Sequence, residues 1–577
     1  MATETETRTP RPARQLQVRS ALRLKQVAAG WHRPALSAVI ALGTADLVLL
    51  ALGRLDLALY TSGGGLCALY AHGLPYAARA RTLGWVVLGM TASVGIALAT
   101  AASTDSTVLR VAVAALLAAV HKMLCDATRI GPPANLIPTF IAASCVFVPQ
   151  RFVDVPSHLA LTLAAGAFAW LVCMAPALLR PQGPQRQAVA RALEAAAAQG
   201  APAARAAAAA AAWRTVLLVP ARTAGAAADR GRLELLLIRA ESGTADPRQL
   251  RVRARALRRR GPLPDLSPTG AEAAELADLA DLADLADLAD LADLAAEQPP
   301  IGARLHRRAP RTPGAGDRVR LPQALRPGSP LLTVGARVAV GCALAGWASM
   351  ELGVGRPYWA VVTAASVFQA NTVLSWNRAL NRVLGNVVGL LLFAVLLPLT
   401  GLGAAALVLA ALACQFATEA TISRGYWLAS VFVTPMSLLM VQFAQAQPAR
   451  ELIADRALDT VVGAAVGLAC CFLITDRHVS DRAERALAAV AATRAEAARL
   501  LDTPAREVDR YELGWARDRL TNALVELREA ADTAGGEWRQ RTLPEERIAA
   551  AEQHSQPVLA ELSRRLDPAL RALPAAA

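Results

Sequence analysis

At 577 residues, with 54% hydrophobic and 18% charged residues and a mean hydropathy of +0.35, the chain is too apolar for an ordinary soluble protein. It reads as all-α and polytopic, with the lipid bilayer as its solvent. The net charge of +14 invites a nucleic-acid reading, but the arginines flank apolar runs, so attraction to anionic lipid explains them and no nucleic-acid partner is expected.

Residues 1–33 form a basic lead with Arg8, Arg11, Arg14, Arg19, Arg23, Lys25 and Arg33. That composition is not a cleavable signal peptide, and its charge holds the segment in the cytoplasm. A bilayer core takes about 20 residues of helix, which divides the first apolar block, 34–180, into six candidate spans near 34–53, 56–74, 83–103, 107–125, 135–149 and 157–179.

An even number of spans returns the chain to the cytoplasm, where 181–330 forms a linker of helical and low-complexity segments. Residues 187–240 are alanine-rich and read as helices, followed by a basic run from Arg251 to Arg260 and a Leu-Ala-Asp repeat from Leu276 to Leu294. Leucines at every third position drift about 60° per step around an α-helix, so no single apolar face results and the repeat reads as low complexity. The stretch from Pro299 to Pro330 reads as a flexible linker.

The second block, 331–475, supplies six more candidate spans near 331–350, 358–374, 379–399, 402–420, 425–443 and 456–474. The tail, 476–577, has helical periodicity broken near Gly535 and Pro544, and reads as a small antiparallel helical bundle. Predicted inner loops carry Arg79, Arg81, Lys122, Arg129, Arg378, Arg382 and Arg424, whereas the outer loop near 104–106 has only Asp105. The expectation is a multi-pass protein of the plasma (inner) membrane with both termini cytoplasmic.

One pattern occurs in both blocks. Gly53-Arg54, Ala58, Thr61, Arg81 and Gly84 are matched by Gly355-Arg356, Ala360, Thr363, Arg382 and Gly385. Hydrophobicity repeats easily, but charged and small residues do not repeat in register by chance, so the blocks read as two six-helix repeats, about 12 transmembrane helices in all. Duplicated membrane halves point to a transporter.

Several chemistries have no sequence support. Neither lysine, Lys25 nor Lys122, lies in a G-x-x-x-x-G-K-[ST] loop, and there is no H-E-x-x-H, G-x-S-x-G or zinc-spaced Cys/His set. No enzyme activity, catalytic residue, metal or cofactor is therefore expected. The cysteines fall in or beside spans and read as small packing residues.

The string Arg356-Pro-Tyr-Trp-Ala-Val-Val-Thr363, followed by Arg378-x-x-x-Arg382-Val-Leu-Gly385 and by Gly389, resembles the signature of the fusaric acid resistance family, the aromatic-acid-exporter-like membrane proteins. The segment Arg456-Ala-Leu-Asp459-Thr460-Val-Val-Gly463 resembles the family's final span. Asn386 stands where the family has threonine, and Gln369-Ala-Asn371 replaces its Gln-Pro. The resemblance covers about 331–475 well and the first block only as a degenerate copy. It implies twelve spans in two repeats, cytoplasmic helical segments and export of organic anions without ATP. Related plant members with one such repeat are malate channels that work as dimers, which implies one pore on a pseudo-twofold axis. A homo-oligomer is left open.

Candidate substrate-binding residues are Arg54, Arg356, Arg337, Tyr358, Trp359 and Arg382. Arg54 and Arg356 recur at predicted outer ends, where they either grip a carboxylate bidentately or snorkel. Arg337 lies inside a span, where charge is costly, and Arg382 is read first as a topological anchor. Tyr358 and Trp359 are read as belt aromatics, or as a stacking surface for an aromatic substrate. Asp46, Glu419 and Asp459 are candidates for proton coupling, with pairing to Arg456 the preferred account of Asp459. Gly385, Gly389, Gly463 and Gly467 form G-x-x-x-G pairs that let helices approach closely. The function expected is export of small organic anions, aromatic ones among the candidates, coupled to an ion gradient. The alternatives are a passive anion channel and a non-transporting scaffold with partner-binding helices.

Overall fold

The computed structural model describes residues 30–128, 133–198, 246–259, 329–369, 371–444, 447–474, 478–503, 510–535 and 545–566, with scattered single residues between them. The Leu-Ala-Asp repeat lies outside these residues. Every described element is helical. The first block comprises α1 (His32–Ala51), a short α2 (Ala58–Gly65) continued by a 3-10 turn (Leu66–Leu69), α3 (Tyr76–Ser103), α4 (Thr107–Thr128), α5 (Leu136–Val146) and α6 (Val155–Met174). Outside the membrane blocks, α7 (Gly183–Ala197) pairs with α8 (Pro247–Arg258). The second block comprises α9 (Pro330–Glu351), α10 (Tyr358–Val367), α11 (Thr372–Leu396), α12 (Ala404–Ile422), α13 (Tyr426–Ala444) and α14 (Ala449–Leu473). The tail adds α15 (His478–Asp502), α16 (Arg510–Gly535) and α17 (Glu545–Leu566).

Nine helices among the described residues are long and apolar enough to cross a bilayer, which makes this a multi-pass membrane protein. The expected second, fifth and eighth spans depart from the twelve-span reading. They form the short helices α2, α5 and α10. The 10 residues of α10 rise about 15 Å, half of a hydrocarbon core of about 30 Å. Hydropathy runs on past the end of this helix, but its backbone does not: Phe368 is extended, and Asn371 restarts the chain as an N-cap, its side chain accepting from the Leu374 amide at 2.8 Å.

Both α1 and α9 end in the same way. Gly53 and Gly353 adopt φ of +66° and +75°, their amides return to the carbonyls of Leu50 and Met350, and the next amides return to Leu49 and Ser349. Glycine reaches this left-handed conformation without the Cβ penalty. In α13, Pro435 lies inside the helix and cannot donate to the Val431 carbonyl. Gly389 of α11 sits against that carbonyl, close enough that a Cβ there would come within 2.8 Å of it.

The two blocks interlock. Helix α4 packs on α9 and α1 packs on α12, while the short helices α5 and α2 meet α10 and α13 of the other block. The largest core cluster accordingly mixes Val111, Ala115 and Ala118 of α4 with Val338, Cys342 and Ala345 of α9. Outside the membrane, α7 is tied to the foot of α1 by Arg33, which donates to Gln187, and Arg258 of α8 pairs with Glu194 of α7 at 2.5 Å. Burial, with Arg258 and Arg33 nearby, lowers the affinity of the Arg191 guanidinium for its proton. The tail helices share a core of Val490, Leu513, Leu520, Leu527 and Leu562. Helices α15 and α17 run in the same sense, with Arg547 meeting Glu484 near their starts and Arg565 reaching the Leu501 carbonyl near their ends.

Candidate functional site

The half-length α10 is buried along its whole length, and α14 lies against it because Gly463 has no side chain to strike the Ala360 carbonyl, which a Cβ at that position would approach to 2.5 Å. About two turns before that glycine, α14 carries Arg456. It is 1% exposed, its guanidinium lies 3.9 Å from the centre of the Trp359 ring, and its Nε and Nη1 have no hydrogen-bond partner. Asp459, also fully buried, accepts from the Ser349 hydroxyl through one oxygen, while its Oδ2 is unpartnered. No direct ion pair joins Asp459 to Arg456; the acid's hydrogen bond comes from Ser349 of α9, while the two charges remain close enough to act on each other.

The polar group continues onto α11 and α13. Arg382, 3% exposed, donates through Nη1 to the Tyr426 hydroxyl at 3.2 Å and leaves Nε without a partner. The Arg378 guanidinium lies 3.6 Å from the centre of the same tyrosine ring. Asn386 donates to Thr460 at 2.7 Å and accepts from Thr434, joining α11, α13 and α14. Thr363 of α10 has a buried hydroxyl with no partner.

Charge does not balance here. The buried or half-buried charged groups of α9 to α11, α13, α14 and the α9–α10 connection are Arg337, Arg356, Arg378, Arg382 and Arg456 against Asp455 and Asp459. Arg356 is neutralised by Asp455 at 2.8 Å and also bonds Gln447. The remaining arginines face one acid, in surroundings where an uncompensated cation is costly. Guanidinium N–H groups left open beside an aromatic wall can hold a carboxylate.

The other sequence candidates are distributed as follows. Arg54 has a side chain 57% exposed and pairs with Asp56 at 3.0 Å. The hydrogen bond from Arg54 holds the Asp56 carboxyl below its ordinary pKa. Arg54 shares no partner with Arg356. It borders a surface groove of about 600 Å³ that Asp154, Ser157 and His158 also line. Arg337 donates to the Gln369 carbonyl at 3.4 Å, at the end of α10, where a cation offsets the negative end of a helix. Arg382 lies about 15 Å along α11 and is sealed from lipid, so it is not a surface anchor. Tyr358 and Trp359 are buried rather than in an interfacial belt; they stack on each other at 4.9 Å and against Phe147 and Phe140 of the first block at 5.6 and 5.5 Å. Glu419 is half-buried and accepts from Gln415 at 3.5 Å, whereas Asp46 is 5% exposed with Oδ1 unpartnered. Gly385, like Gly389, faces α13, and Gly467 faces α10 with more room, since a Cβ there would have its nearest neighbour at 3.3 Å. Arg456 was not among the binding residues expected from sequence. An arginine amid an apolar span was the available signal.

Residues 341–470 match the family described as fusaric acid resistance protein-like. Through this block the chain is similar to that family. Comparisons with curated proteins and with solved structures give no match. Arg356, Arg378, Arg382, Arg456 and Asp459 all lie inside the fusaric acid resistance protein-like segment, and the first block lies outside it. The nine long apolar helices among the described residues make the chain a multi-pass membrane protein, and the match likens its second block to that family.

The Arg356–Asp455 pair has a separable role. Arg356→Gln alone is expected to destabilise the protein by about 1–3 kcal/mol, because it strands a largely buried carboxylate. The Arg356→Gln, Asp455→Asn double variant is expected to regain most of that loss in apparent Tm. A double variant no more stable than the single would show that the pair is not the source.

Proposed function

We propose that this protein exports small organic anions across the plasma (inner) membrane, coupled to an ion gradient, through two six-helix repeats. The observation that carries the reading is the pair of buried arginines in the fusaric acid resistance protein-like block, Arg456 and Arg382, which keep open N–H groups at near-complete burial. A bound anion would supply the missing counter-charge. The aromatic wall of Tyr358, Trp359, Phe140 and Phe147 suits a substrate with a flat apolar part. The reciprocal packing of α4 on α9 and α1 on α12, with matching glycine caps at Gly53 and Gly353, supports the two-repeat arrangement. Buried acids without a cationic partner, Asp46 above all, favour coupled transport over a passive channel.

The test is flux of labelled benzoate and malate into liposomes carrying the purified protein under an imposed pH gradient. Accumulation above protein-free liposomes is expected; none with either acid would overturn the proposal. Orientation is tested apart from flux. Reporters fused at residues 270 and 577 are both expected to report cytoplasm, and an external signal from either would break the topology.

A further inference from the structure

Asp46 lies 14 residues beyond His32, where α1 begins, about 21 Å up a helix that crosses a core of about 30 Å. It is 5% exposed, with Oδ1 sealed and unpartnered. The helix around it is at the junction of the two blocks: one turn before Asp46, Gly43 packs on Leu412 of α12, and Leu42 packs on Gly65 of α2. The elements against α1 are α12, α2, the turn after it, α6 and the 3-10 turn Leu55–Leu57. Their titratable groups are Glu419 and Cys414, Tyr60, Cys67, His158 and Cys173, and Asp56, with no lysine or arginine among them.

Most of these groups already have partners. Tyr60 donates to Gln150, which His158 also meets; Cys67 and Cys173 donate to the Gly63 and Ala68 carbonyls; Glu419 accepts from Gln415; and Asp56 is paired with Arg54. The nearest cation on α1 itself, Arg33, is about 20 Å down the helix. No contact thus offsets an ionised Asp46, and a carboxylate without a partner at this depth is costly. The neutral acid is cheaper to bury than the carboxylate.

We propose that Asp46 takes up and releases the coupling proton, as a site separate from the arginines that hold the anion. This rests on the transporter reading above. The proton adds to the Asp46 carboxylate on one side of the membrane and leaves the carboxyl group on the other, with no covalent change elsewhere. The arginine site is on α11 and α14, while Asp46 is on α1 against α12, so the two sites communicate through movement of one block against the other.

The test compares wild type, Asp46→Asn and Asp46→Glu in liposomes, with labelled benzoate and malate as probes, and follows the infrared band of a protonated carboxyl group as pH is varied. Wild-type and Asp46→Glu flux is expected to rise about tenfold or more on imposing a pH gradient, and Asp46→Asn flux to lose that response. A titrating carboxyl band is expected in wild type and is expected to vanish in Asp46→Asn. Asp46→Asn protein that responds to the gradient as wild type does, or that keeps the band unchanged, would overturn the proposal. If wild type moves neither acid, the transporter reading fails on its own, and the infrared titration still decides whether Asp46 carries the proton.

Discussion

Arg456→Met is expected to abolish anion flux while leaving the unliganded protein as stable as wild type or more so. A structural arginine would behave in the opposite way. Arg456 is 1% exposed and keeps Nε and Nη1 unpartnered, its visible support being the Trp359 ring. Replacing a poorly compensated buried charge by an apolar side chain of similar shape is neutral or stabilising by about 1–4 kcal/mol. Removing the charge that a bound anion desolvates costs about 2–5 kcal/mol of binding, at least on the order of thirtyfold in affinity. Arg456→Lys keeps the charge but loses the planar fork and its stacking, so its flux is expected to fall between the two. Flux in liposomes and apparent Tm in detergent read the two effects separately. A variant that is unstable yet still transports would assign Arg456 to the scaffold.

Alanine at Gly64 or Gly463 is expected to disrupt folding, whereas alanine at Gly467 is expected to be tolerated. A Cβ at Gly64 would fall on the Thr162 carbonyl oxygen and the Gly166 nitrogen, well inside contact distance, and at Gly463 it would lie 2.5 Å from the Ala360 carbonyl oxygen. Those neighbours are backbone atoms of packed helices and cannot rotate away, so the helices must separate, at a cost of about 1–3 kcal/mol or more for each overpacked site. The nearest neighbour at Gly467 is 3.3 Å away. Each close contact holds a short helix against the last long helix of its own block, so Gly463→Ala is also expected to displace Trp359 from Arg456. Thermal unfolding of the variants is the measurement. Wild-type Tm for Gly463→Ala would show that α10 and α14 are not held by this contact.

Part of the site was legible from residue chemistry alone. Arg356, Arg378, Arg382, Tyr358 and Trp359 share one motif, and an arginine inside an apolar run stands out wherever it occurs. Arg456 was obscured because Asp459 follows it by three residues, a spacing that reads as a local pair. Ser349, more than a hundred residues earlier, donates to that acid, while the arginine keeps two N–H groups open. Nothing in the local sequence specifies such a partner, because it depends on how α9 and α14 pack.

By itself, the sequence determined that the chain is helical and crosses a membrane repeatedly, since apolar length is a local property that lipid selects directly. It also carried the resemblance of the second block to a known family, through side chains close together along the chain. Only the tertiary structure decided that three expected spans are short helices. The break after α10 depends on an extended Phe368, a cap from Asn371 and a distant Arg337 donating to Gln369, whereas hydropathy does not change there. Tertiary packing also decided which charges are quenched and which stay open, because a salt bridge is a relation between elements and the energy of a buried ion depends on its neighbours in space.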